Sequence, residues 1–195
     1  MRLGLSSSLT HQTPEEWAER LSALGCRAVN FPVDYTGEPS LLDRYAKAAQ
    51  EHDLLIAEVG AWCNPISPDP ATRKAALLRC KEQLRFAVHM DVFNWITSAQ
   101  RYFFHEEFME ECFTKLGTHI KSCHLKNVHL SQAFTLQLQE TACEKGDLHL
   151  EKYAQLIEHL DPDMPVIIEH LESDAEYLES LAYVIQRFRK AGYSL

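Results

Sequence analysis

Long apolar runs are missing from this chain. No stretch approaches the roughly 20 consecutive apolar residues of a membrane-spanning helix, and Met1-Arg-Leu-Gly-Leu-Ser-Ser-Ser8 carries an apolar run far too short for a secretory signal. No membrane partner is expected. The six cysteines, Cys26, Cys63, Cys80, Cys112, Cys123 and Cys143, include no C-x-x-C pair. In a chain of 195 residues without a signal, such scattered cysteines read as reduced thiols, and the expected location is the cytoplasm. Positive charge is scarce as well: 19 basic against 28 acidic residues leave a formal charge of −9. The one basic knot, Arg187, Arg189 and Lys190, reads as a solvated helix terminus, so a phosphate backbone is a poor partner and no nucleic acid is expected. Low-complexity tracts and linkers are absent too, which leaves a single globular domain over 1–195.

What is present is a strict alternation of short apolar runs with amphipathic stretches. Strands are expected at Leu3 to Ser6, Cys26 to Phe31, Leu54 to Gly60, Phe86 to Asp91, Ile120 to Leu125 and Pro165 to Glu169. The first helix has its start written out. Thr13 caps, Pro14 takes the first helical position and Glu16 is placed to complete a capping box, while Trp17, Leu21 and Leu24 form a core stripe before Gly25 ends it. Ser40 is placed to cap a helix over 41–52, and Asp69 with Pro70 opens one that runs to about Arg85. Further helices are expected over 105–116, stopped by Gly117, over 150–160, and after Ser173 or Asp174. Residues 129–146 read as a long polar excursion in need of a functional reason. Six strand-helix pairs predict a parallel sheet with helices outside it.

One junction lacks its punctuation. Helix-to-strand connections usually take a few residues and often a glycine, yet Lys81-Glu-Gln-Leu-Arg85 runs straight into Phe86-Ala-Val-His-Met-Asp91. Either the helix ends early, or a segment that belonged between the two elements is absent.

In such folds the reactive groups gather at the carboxyl ends of the strands. Asp91, His124 and Glu169 each hold that position on a different strand. Oxygen and imidazole donors without thiolate suit Mn²⁺, Mg²⁺, Co²⁺ or Zn²⁺ and do not choose among them. Each residue also has a purely structural reading: an Asp capping the next turn, a hydrogen-bonded core His, a Glu paired with a lysine. His89 with Asp91 and His124 also fits the two-histidine, one-carboxylate set of non-haem iron oxygenases, a reading that calls for an all-β scaffold.

Five stretches resemble the sugar phosphate isomerase and epimerase family with the xylose isomerase-like TIM barrel. They are Phe31-Pro-Val-Asp-Tyr35, Ala57-Glu-Val-Gly-Ala-Trp-Cys-Asn-Pro65, Val88-His-Met-Asp-Val-Phe-Asn-Trp-Ile96, Ser122-Cys-His-Leu-Lys-Asn-Val128 and Val166-Ile-Ile-Glu-His-Leu-Glu172, in the family's order. The resemblance implies a metal held by Glu, Asp, His and Glu from the fifth to eighth strands, and proton transfer through an enediolate on a sugar or sugar phosphate. Asp91, His124 and Glu169 match the sixth-, seventh- and eighth-strand ligands, with Glu169 also the acid/base. Lys126 is implied as a catalytic, substrate-facing cation, against the plain reading of a rim lysine in solvent. Asn94, Trp95, Trp62 and Asn64 are implied as substrate-binding.

A full barrel takes about 250 residues, so about six βα units rather than eight are expected, with the missing segment between about 85 and 86. The fifth-strand Glu is lost with it. Glu58 belongs by its motif to the third strand and is not assigned as a ligand. Without the opposing carboxylate, full epimerisation calls for a group from a second subunit, and an inactive truncated relative that binds a small polar ligand is the alternative. Loss of two adjacent strands also opens two sheet edges, and a homodimer joined along them is expected.

Overall fold

The computed structural model describes residues 1–33, 37–58, 66–83, 89–133 and 135–195. Its strands in chain order are β1 (Arg2–Leu5), β2 (Ala28–Asn30), β3 (Leu55–Glu58), β4 (His89–Met90), β5 (Ser122–Leu125), β6 (Asn127–Leu130), β7 (Leu138–Thr141) and β8 (Pro165–Ile168). The helices are α1 (Pro14–Ala23), α2 (Pro39–Glu51), α3 (Pro70–Gln83), α4 (Ala99–Phe103), α5 (His105–Leu116), α6 (Leu150–Leu160) and α7 (Asp174–Lys190).

Six strands form one parallel sheet in the order β3-β2-β1-β8-β5-β4. The last strand lies beside the first, paired from Arg2↔Pro165 to Leu5↔Ile168. Leu3, Leu5, Cys123, Leu125, Val166, Ile167 and Ile168 are fully buried, as expected where a parallel sheet is covered on both faces. Trp17 and Leu21 of α1, Tyr153 and Ile157 of α6, and Val184 and Phe188 of α7 belong to the core that covers it.

The sheet is strongly curled. β3 and β5 stand four strand spacings apart, about 19 Å in a flat sheet, yet the Glu58 and His124 side chains hydrogen-bond to each other. Among the described residues the result is an incomplete barrel of six parallel strands with β3 and β4 at its edges, the six-unit parallel α/β architecture that the sequence predicts. The junction expected between 85 and 86 lies outside the described residues. No helix among the described residues is long and apolar enough to cross a membrane. Cys26, Cys112, Cys123 and Cys143 are free and buried, and burial pushes the Cys26, Cys123 and Cys143 thiols up to about 12.

Local chemistry accounts for most element starts, with three departures from the sequence reading. Thr13 caps α1, accepting from the Glu16 amide at 3.1 Å, but the Glu16 carboxylate reaches one residue further back, to the Gln12 amide at 2.8 Å. Glu38 rather than Ser40 caps α2, because Pro39 takes the first helical position and leaves the Glu38 carboxylate facing the Leu41 amide at 3.2 Å. The stretch read as a polar excursion overlaps the antiparallel hairpin β6-β7, in register from Asn127↔Thr141 to Leu130↔Leu138. Buried Asn127 ties its base down, donating to the Cys143 carbonyl and accepting from the Leu148 amide. Asp69 and Ser173 cap α3 and α7 as expected, through the Thr72 and Glu176 amides.

Gly4 shows how closely β1 lies on β2: a Cβ there would fall 1.8 Å from the Ala28 carbonyl oxygen. Backbone cannot yield as a flexible side chain does. Gly4→Ala should therefore destabilise the protein by about 2 kcal/mol or more, read as a lowered urea midpoint. An unchanged midpoint would refute this β1-β2 register.

Candidate functional site

Asp91 follows directly on β4 and opens a short 3₁₀ turn over Phe93–Trp95. Its Oδ1 accepts from the Asn94 amide at 3.1 Å, and its Oδ2 from the Asn94 side chain. The plain reading of a capping aspartate therefore holds, but Asp91 Oδ2 also faces Lys126 Nζ at 2.9 Å and His124 Nδ1 at 3.8 Å. Period-2 alternation puts His124 and Lys126 on one side of the β5 segment and sends Cys123 and Leu125 into the core on the other. Glu169 follows β8 directly. Its amide bonds to the Leu125 carbonyl at 3.3 Å, which fixes it beside β5.

Three strand ends thus converge. Glu169 Oε2 lies 2.8 Å from His124 Nδ1, and one donor atom each from Asp91, His124 and Glu169 falls within 4.8 Å of the others. Two carboxylates and an imidazole at this spacing fit a divalent cation. Lys126 sits against the same carboxylates, 2.9 Å from Asp91 Oδ2 and 3.0 Å from Glu169 Oε1. It is 1% exposed, so the reading of a rim lysine in solvent fails. Burial works against this ammonium, but hydrogen bonds to Asp91 and Glu169 raise its pKa instead.

The same contest settles the other groups. Burial works against the charge on Asp91, yet His124 and Lys126 hold its carboxyl well below the usual range. Burial works against protonated His124, yet bonds to Asp91, Glu169 and Glu58 push it up to about 11. In the metal-free protein the imidazole therefore carries both protons, one of which a cation must displace.

Three residues that the sequence reading did not place here join the cluster. Glu58, at the end of β3, hydrogen-bonds His124 Nε2. Glu140, carried in by β7, lies 3.3 Å from Lys126 Nζ and 2.7 Å from His170 Nδ1. His170 lies 3.0 Å from Lys126 and follows Glu169 with a left-handed backbone, φ 60°, which turns the chain sharply at the rim. The alternation Leu136-Gln-Leu138-Gln139 is the visible sequence signal of the strand that brings Glu140 in. At the end of β2, Asn30 Oδ1 is a buried acceptor without a partner among the described residues.

Of the residues implied as substrate-binding, Asn94 is exposed and bonded to Asp91, as above. Trp95 lines a surface groove with Arg101, Phe108, Glu111 and Cys112 on the α5 side. Trp62 and Asn64 lie outside the described residues. A second cluster, His105, Glu106 and His149, also brings donor atoms within 4.8 Å. It lies at the positive ends of α5 and α6, which disfavour a cation, and His105 Nε2 already accepts from the His149 amide at 3.2 Å.

No family model matches the chain, and no curated protein matches it. Several solved structures are similar to it, three of them as follows. A xylose isomerase domain protein from Planctomyces limnophilus is 18% identical, over 91% of this chain and 62% of that one, with a TM-score of 0.37. A D-allulose 3-epimerase from Methylomonas sp. is 14% identical, over 90% and 68%, with a TM-score of 0.37. A xylose isomerase-like TIM barrel protein from Mycobacterium smegmatis, in complex with magnesium, is 16% identical, over 89% and 64%, with a TM-score of 0.38. The chain spans 62% of the length of the first of these.

Lys126 is the group whose loss should be felt most. Lys126→Met leaves the charges of Asp91 and Glu169 buried with a cation removed, which should cost the metal-free protein about 3 kcal/mol. The deficit should shrink on acidification, because protonating a carboxylate relieves the repulsion. Urea unfolding at two pH values checks both statements, and a variant as stable as the parent would contradict them.

Proposed function

We propose that this protein holds one divalent cation through Asp91, His124 and Glu169 and moves a proton next to the carbonyl of a sugar or sugar phosphate, as an isomerase of the epimerase and isomerase class. The observation that carries this reading is the convergence of the three donor atoms from three separate strand ends. The sugar class comes from the motifs around them. When bound, the cation polarises the carbonyl and neighbouring hydroxyl oxygens. Glu169 accepts and returns the proton at a single face of the substrate, through an enediolate. Lys126 holds Asp91 and Glu169 in place and supplies positive charge beside the developing oxyanion. The unpartnered Asn30 Oδ1 is a ready acceptor for a substrate hydroxyl.

The distinction between isomerase and epimerase follows from counting faces. Inverting a carbon needs a proton removed from one face and delivered to the other. Moving a proton between adjacent carbons needs a single carboxylate on one face. Glu169 can serve the second reaction; the opposing glutamate that the family uses for the first has no counterpart in the sequence. The iron-oxygenase reading with His89 is disfavoured, because the scaffold is a parallel α/β sheet.

Metal analysis of the purified protein should find about one equivalent of Mn²⁺ or Zn²⁺, lost in both Asp91→Ala and His124→Ala. Incubation with ketose substrates in D₂O should exchange one carbon-bound proton in the parent and in neither variant. A parent that stays metal-free under loading with either ion would refute the assignment.

The active form in this reading is a cytoplasmic homodimer. Among the described residues β3 and β4 stand at the two edges of the sheet, and such edges invite another chain. Leu55, on β3 itself, is 41% exposed. Analytical ultracentrifugation should return a dimer mass, and a monodisperse monomer would refute this assembly.

A further inference from the structure

His124 stands between two sets of carboxylates. Its Nδ1 faces Glu169 at 2.8 Å and Asp91 at 3.8 Å, and its Nε2 bonds to Glu58. A neutral imidazole has one N–H and one lone pair, and a metal ligand must present the lone pair to the ion. Which nitrogen does so is decided by the hydrogen bond at the other. We propose that Glu58 is the positioning residue of this centre: it accepts the Nε2–H of His124 and thereby commits the Nδ1 lone pair to the site formed with Asp91 and Glu169. The inference rests on the metal reading above and adds to it a carboxylate from the third strand.

Two further observations support the assignment. The β2-β3 ladder pairs Val29 with Ile56 but Asn30 with Glu58, so Ala57 is an extra residue immediately before Glu58. Such bulges re-aim the side chain that follows, often beside functional sites. Although β3 is an edge strand, the Glu58 side chain is only 11% exposed, and a carboxylate so placed needs a specific partner.

The probe is Zn²⁺, titrated calorimetrically into the parent, Glu58→Ala and Glu58→Gln, with the imidazole N–H signals of the zinc-loaded proteins followed by NMR. Glu58→Ala should bind zinc about 10- to 100-fold more weakly, and its His124 Nε2–H signal should be lost to solvent exchange. Glu58→Gln keeps an acceptor oxygen, so it should retain the signal and most of the affinity. Should Glu58→Ala fail to fold by circular dichroism, Glu58→Asp, which withdraws the carboxylate by one methylene, is read in its place. A variant without the carboxylate in reach that binds zinc as tightly as the parent overturns this inference and leaves the metal reading standing. Equal weakening in Glu58→Gln and Glu58→Ala would mean direct ligation by the charged oxygen and overturns it too. A parent that takes up no zinc overturns both.

Discussion

A lysine ammonium with 1% of its surface exposed exists only because other charges have been brought to it. Lys126 follows β5, and the groups that satisfy it come from elsewhere: Asp91 after β4, Glu169 and His170 after β8, and Glu140 on β7. Each of those elements must be in register for the cation to be tolerated at that depth. The parallel pairing of β4, β5 and β8 and the docking of the hairpin are therefore tied to a single charge. Hydrophobic burial along β1, β8 and β5 builds the sheet, but it is indifferent to small shifts between strand ends. A buried ammonium is not, since a displacement of an ångström or two exchanges a hydrogen-bonded pair for an uncompensated charge.

The same cluster explains which parts of the site could be read from the chain. Asp91, His124 and Glu169 were legible because each ends an apolar run, and the carboxyl ends of parallel strands share one side of the fold whatever the details of packing. Lys126 was legible as a neighbour of His124 by period-2 alternation, but its burial was not, because that depends on two carboxylates far away in sequence. Glu140 was hidden inside a stretch whose polar composition outweighed a short Leu-Gln alternation. The caps show the same limit on a smaller scale. Thr13, Asp69 and Ser173 act as their positions suggest, whereas Pro39 at the first turn of α2 hands the cap to Glu38 rather than to Ser40.

Glu58 was missed for a reason that belongs to the whole sheet. Its motif identifies its strand correctly, and in chain order that strand lies far from β5. Curl is a collective property of strand number, twist and bulges, and no local pattern encodes it. The bulge at Ala57 is equally silent in sequence, since Ala57 carries neither glycine nor proline to mark it.

Curl also gives the short chain a chemistry of its own. The diameter of a closed barrel grows with the number of strands, and in one of eight, two strands four places apart stand on opposite walls. A sheet of six strands can curl more tightly over the same four spacings, and here it brings the end of β3 within hydrogen-bonding reach of β5. Fewer strands therefore do two things. They leave β3 and β4 at the ends of the sheet among the described residues, and they move a third-strand carboxylate onto the imidazole that faces Asp91 and Glu169. The tighter curl of the six-stranded sheet thus fixes the orientation of the His124 imidazole from a strand that a wider sheet would hold out of reach.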